Sequence, residues 1–141
     1  MENKNKSCPE CGAPRVEGMD CWAQLGAIIA WEWQDPALMA QHYLTVTCCN
    51  VQHPAQFNDH ALATMKRLFL EHLAGEVSLA EIRRRNSQLF EGSVKVLKPE
   101  GERQPILRRW PMTIADVYIP DQAEGAAQRV KLWAASIYRE I

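Results

Sequence analysis

At 141 residues, 47% apolar and 23% charged, the chain is long enough to bury a hydrophobic core without staples and lies far from the composition of a disordered segment. With 16 basic and 17 acidic residues the formal net charge is -1, so no overall field draws it to nucleic acid or to an acidic membrane surface. No apolar run approaches the roughly 20 residues that cross a bilayer, and the opening Met-Glu-Asn-Lys-Asn-Lys carries no apolar signal core.

Five cysteines, an odd number with one Cys-x-x-Cys pair, point to metal-binding or redox thiols in a reducing cytoplasm rather than to a secreted disulfide framework. The pair stands in Cys8-Pro9-Glu10-Cys11-Gly12-Ala13. Its two-residue gap lets both sulfurs reach one ion while the amides of the turn offset their negative charge. Redox enzymes use the same spacing at a helix start that follows a strand, and no strand pattern precedes Cys8.

Asp20 is a suitable N-cap for a first helix, in which Cys21, Leu25, Ile28 and Ile29 form one stripe with Glu32 a turn beyond. Asp35-Pro36 is a boundary and a helix start, and a second helix is expected over about 37–52, stopped by Pro54. So short a link makes the two helices antiparallel neighbours. A third helix is expected from Asn58 or Asp59 to Leu73 with Gly75 as its C-cap, and a fourth from the capping-box pattern Ser78-Leu79-Ala80-Glu81 to about Phe90, ending near Gly92.

Val94 and Val96 leave room for a short β element near 93–98, inside a loop over about 93–112 broken by Pro99, Gly101 and Pro105. Thr113-Ile114-Ala115-Asp116 opens one helical turn. Pro120-Asp121 opens a last helix whose apolar face includes Val130, Trp133, Ala134 and Ile137. Five tryptophans predict a core closed by large flat side chains. The expectation is a mainly α single domain over 1–141, a small helical bundle built on the antiparallel hairpin, with a zinc-knuckle arm over 1–20 and a helical body over 21–141.

The hairpin selects the remaining metal ligands. If the chain reverses at Asp35, Cys21 comes level with about Cys49 and one turn from His53, so the preferred set is Cys8, Cys11, Cys21 and His53, with zinc as the ion and Cys49 as the alternative fourth ligand. For His53 the competing role is a helix-ending histidine hydrogen-bonded to a carbonyl; for Cys48 and Cys49 it is plain packing. His42 lies eleven residues before His53, about 16 Å along a helix axis, and cannot share its ion. At that other end Glu32 comes level with His42, as a structural hydrogen bond, an acid–base pair or a second metal site.

Beyond the knuckle, Cys21-Trp22-Ala23, His42-Tyr43-Leu44-Thr45-Val46, Gln52-His53-Pro54, Trp110-Pro111-Met112-Thr113-Ile114-Ala115-Asp116-Val117 and Trp133-Ala134 together resemble an uncharacterised family of small bacterial proteins, known only as a domain of unknown function. The resemblance supplies no activity. It implies that His42 and His53 are the histidines that matter. It also implies an acidic residue in relatives where this chain has Thr47 and a tyrosine near Cys49, which counts here against acid chemistry and against Cys49 as a general ligand.

Three functional classes follow. The first is a non-catalytic interaction or regulatory protein with a structural zinc and a protein or small-molecule partner. The second is a metal-dependent hydrolase or transferase with a pocket near Glu32 and His42. The third is a nucleic-acid-binding module using Arg83-Arg84-Arg85 and Arg108-Arg109; it is disfavoured because three successive helical positions point in different directions.

Overall fold

In a computed structural model that describes residues 6–89 and 96–141, Asp20 accepts the Ala23 amide at 2.9 Å and opens α1 (Cys21–Glu32). Asp35 caps Leu38 in the same way and opens α2 (Pro36–Met39), with Pro36 in the first turn where no amide hydrogen is needed. The single helix expected over 37–52 is in fact divided. The chain relaxes at Ala40 and Gln41 (φ -98°, ψ 10°) and restarts as α3 (His42–Val51), and this break lets α3 begin directly against Glu32 at the end of α1.

After a 3-10 turn over Pro54–Gln56, Asn58 accepts the Ala61 amide at 2.8 Å and starts α4 (Asp59–Leu73). Gly75, at φ +80°, ends it: its amide reaches the His72 carbonyl and that of Glu76 reaches Glu71, the paired bonds of a Schellman cap. Helix α5 (Leu79–Leu89) is capped by the Ser78 hydroxyl, but the reciprocal half of the expected capping box is replaced, since Arg84 and Arg85 take the Glu81 carboxylate. Phe90, Gly92, Ser93 and Val94 lie outside the described residues. Of the expected β element, an isolated antiparallel bridge between Phe57 and Leu97 is present, flanked by Asn58 N–H to Val96 C=O and Lys98 N–H to Gln56 C=O.

Helix α6 (Ile114–Val117) has the full Thr113/Asp116 capping box. The last helix starts later than Pro120. Asp121 and Gly125 adopt positive φ, and the Arg129 guanidinium gathers the carbonyls of Val117, Gln122 and Glu124, so this stretch is held as a turn and α7 spans Ala126–Glu140. Among the described residues there are seven α-helices, and none is long and apolar enough to cross a membrane.

Helix α3 packs against α1, α4 and α7, and α6 lies between α1 and α7. Ile28, Leu38, Cys48, Cys49, Phe69, Val117, Trp133 and Ile137 are wholly excluded from solvent in one cluster that also contains Cys11 and Cys21. Three of the five tryptophans close this core as expected, Trp133 within it and Trp31 and Trp110 packed against it. Trp133 alone is fully buried, while Trp22 is partly exposed and Trp33 is 81% exposed at the free end of α1.

Gln52, 1% exposed, ties the end of α3 to the loop before α6 and to α7. Its Nε2 donates to the Met112 carbonyl at 2.8 Å and its Oε1 accepts the Trp133 indole N–H at 3.3 Å. Replacing Gln52 with leucine strands both partners, at about 1–3 kcal/mol for each buried group. Urea unfolding of Gln52→Leu should show that loss, and a midpoint equal to the parent's would mean that the two bonds contribute nothing.

Candidate metal centre

The knuckle is built by backbone geometry. Cys8 N–H donates to the Ala13 carbonyl at 2.9 Å and Gly12 N–H to the Cys8 carbonyl at 3.0 Å, a reversal that sets Gly12 at φ +79°, where a side chain is strained. The amides of Cys11 and Ala13 consequently face sulfur, at 3.5 Å from Cys8 Sγ and 3.4 Å from Cys11 Sγ. A tight turn follows, with Val16 and Met19 paired across Glu17 and Gly18, both at positive φ. It returns the chain to Asp20, so that Cys21 is the first residue of α1. The buried Gln24 side chain holds the carbonyls of Pro14 and Met19 at 3.1 Å and locks this arm to the helix.

His53 arrives from the end of α3. Its Nδ1–H donates to the Cys49 carbonyl at 2.6 Å, which assigns the tautomer and turns Nε2 toward the sulfurs, 3.2 Å from Cys21 Sγ and 3.6 Å from Cys8 Sγ. Trp22 covers one ring face at a centroid distance of 4.6 Å. Cys21 and Cys8 sulfurs are 3.6 Å apart, and one ligand atom from each of Cys8, Cys11, Cys21 and His53 lies within 4.8 Å of all the others. A tetrahedral ion with metal–sulfur bonds near 2.3 Å and a metal–nitrogen bond near 2.0 Å requires edges of about 3.8 Å and about 3.5 Å. The four side chains fit, and the cluster can hold a metal ion.

Both roles weighed for His53 are thus combined in one ring: Nδ1 satisfies a helix-terminal carbonyl and Nε2 faces the cluster. Cys49 does not stand as an alternative ligand in this geometry, because its sulfur lies 3.6 Å from Nδ1, on the other side of the imidazole. Cys48 is buried in the core, and burial pushes its thiol upward.

Among the protein atoms alone, the hydrogen bond with Cys21 holds the Cys11 thiol far below its usual range, at about 4, against its burial and with help from His53. Cys21 is pushed up by the same bond and by burial. Burial by itself lowers His53, but the sulfurs of Cys11 and Cys49 outweigh it and raise the ring to about 12. The cluster therefore favours negative charge on sulfur beside the ring. A cation that displaces those protons binds more weakly as pH falls, because acid returns them to the thiols and to His53.

Two further residues support the cluster without being ligands. Glu10, between the knuckle cysteines and only 8% exposed, accepts the Ala55 amide at 2.7 Å, just beyond His53, while its own carbonyl accepts the Arg108 amide. Gln52, beside His53, makes the ties described above. A carboxylate inside a Cys-x-x-Cys gap and a glutamine before the histidine are visible in the sequence, but their partners lie 45 and 81 residues away.

At the other end of the hairpin Glu32 and His42 do meet, with His42 Nδ1 at 2.8 and 3.0 Å from the two carboxylate oxygens; Glu32 is buried and the imidazole half-exposed. His72, on α4, is engaged elsewhere, at the Val77 carbonyl.

A model of one protein family matches residues 6–141, nearly the whole chain. The chain belongs to the family of unknown function DUF5946. No curated protein and no solved structure matches it. Within this DUF5946 chain the knuckle, Cys21 and the Gln52-His53-Pro54 motif thus form one physical unit.

Cobalt(II) is the direct probe of the set. The cobalt-loaded protein should show tetrahedral ligand-field bands and thiolate charge-transfer absorption that Cys49→Ala leaves in place and that Cys11→Ser or His53→Ala alters. Loss of the bands in Cys49→Ala, with the Cys21→Ser spectrum unchanged, would contradict the assignment.

Proposed function

We propose that this DUF5946 chain is a zinc protein in which the metal is structural and the role non-catalytic, an interaction or regulatory function carried by the helical body. The observation that supports this most is the convergence of four protein ligands from two distant segments, three of them buried at 1–3% exposure. Four protein ligands complete a tetrahedral zinc shell and leave no position for water, so such an ion contributes folding energy and fixes the N-terminal arm. Three thiolates beside one imidazole suit zinc better than the oxygen-seeking magnesium or calcium.

An interaction role is supported by large apolar side chains left at the surface. Trp33 and Ile106 are about 80% exposed, and Leu132 and Tyr138 lie open on α7. The nucleic-acid alternative loses much of its charge, since Arg84 pairs with Glu81 and Arg85 with both Glu71 and Glu81, while Arg108 covers the Trp110 ring and donates to the Glu140 carbonyl.

Two measurements test the structural assignment. A site filled to a thousand times its Kd adds about 4 kcal/mol, so removing the metal with a strong chelator should lower the melting midpoint by roughly 8–16 °C. An unchanged midpoint sinks the structural role. Azide added to the cobalt-loaded protein should leave the spectrum as it was; a shift reveals an open coordination position and hands the site to the metal-dependent enzyme class.

A further inference from the structure

His42, the partner of Glu32, lines a cavity of about 330 Å³ between α3, α4 and α5, which runs along α3 from His42 to Asn50. Helical spacing builds its walls. Residues 42, 46 and 50 of α3 share one face, as do 79, 82, 83 and 86 of α5. Val46, Met65, Leu68 and Ile82 supply an apolar interior, and Asn50, Asn86, Arg83 and His42 supply convergent polar groups. This is the usual make-up of a small-molecule site: a largely apolar hollow with a few placed polar atoms.

The charge of the lining has one sign. Among the described residues no acidic side chain lines the cavity, and Arg83 does. Of the three successive arginines, Arg84 and Arg85 are neutralised by Glu81 and Glu71, whereas Arg83 has no ion-pair partner among the described residues. Glu32 stands outside the lining, behind the imidazole. Both of its oxygens face His42 Nδ1, so the ring is held in one orientation and Nε2 is the nitrogen turned away from the carboxylate. A carboxylate 3% exposed is costly unless it is paired, and here its partner is a half-exposed imidazole at the cavity edge.

We propose that this cavity is a binding site for a small organic anion with an apolar body, a carboxylate carried on a short alkyl chain. Arg83 receives the charge, and the chain lies among Val46, Met65, Leu68 and Ile82. The site is independent of the metal cluster, and its failure leaves the structural role of the metal untouched.

The test uses the full metal-loaded chain and three probes of equal length: octanoate, octanol and octylamine. In an amide NMR titration octanoate should bind saturably, with shifts confined to the amides around Val46, Asn50, Arg83 and Asn86. Octanol should bind more weakly and octylamine should leave those amides unmoved. Arg83→Gln, a change at an exposed position, should weaken octanoate by about tenfold or more and leave octanol unchanged, because a charge-assisted contact is what it removes. Val46→Trp should abolish octanoate binding by filling the hollow. In both variants an unaltered cobalt spectrum shows that the metal end is intact. Absence of saturable octanoate binding by the parent protein, equal binding of octylamine, or an unchanged octanoate affinity in Arg83→Gln would each overturn the proposal.

Discussion

The imidazole of His53 is gripped from both sides, by the Cys49 carbonyl at Nδ1 and by the sulfurs of Cys8 and Cys21 at Nε2, and the rest of the structure is arranged around that grip. The residues on either side extend it. Gln52 reaches the C-terminal helix and the loop before α6, and just past Pro54 the Ala55 amide returns to Glu10 inside the knuckle. One turn of chain at the end of α3 therefore joins the N-terminal arm, the long loop and α7. Each tie alone is worth about a kcal/mol, since hydrogen bonds to water are given up to make it; burying all of them together makes the arrangement costly to disrupt.

The hairpin also explains why the molecule has two distinct ends. Helix α1 carries Cys21 at its start and Glu32 at its close, eleven residues and about 16 Å apart. Antiparallel α3 places His53 beside the first and His42 beside the second. Soft thiolates and a buried ring gather at one end and a carboxylate–imidazole pair at the other, with a cavity that carries an arginine running along α3 between His42 and Asn50. At that separation Glu32 and His42 cannot ligate an ion held by Cys21 and His53.

Much of this was readable from local rules because those rules act over a few residues. Asp20, Asn58 and the Thr113/Asp116 box mark helix starts, since each side chain bonds an amide only two or three positions on, and the Cys-x-x-Cys turn is equally local. The hairpin carried this further, bringing Cys21 to His53 and Glu32 to His42 from helix rise alone. What escaped depends on distant partners. The break at Ala40 and Gln41 leaves no Gly or Pro signature and follows from the fit of His42 against Glu32. The late start of α7 is set by Arg129 reaching back across its own N-terminus. Glu10 and Gln52 appear as ordinary polar residues until the fold supplies Ala55 and Trp133. Trp33 shows the converse: it has the composition of a core residue but sits at a helix end with nothing packed over it.

The cluster of Cys8, Cys11, Cys21 and His53 can hold one metal ion. X-ray absorption of the protein purified without added chelator or metal tests it most directly. A zinc edge at one ion per chain is expected, with three sulfur neighbours at about 2.3 Å and one nitrogen at about 2.0 Å. A first shell rich in oxygen, fewer than three sulfurs, or no stoichiometric metal would contradict it.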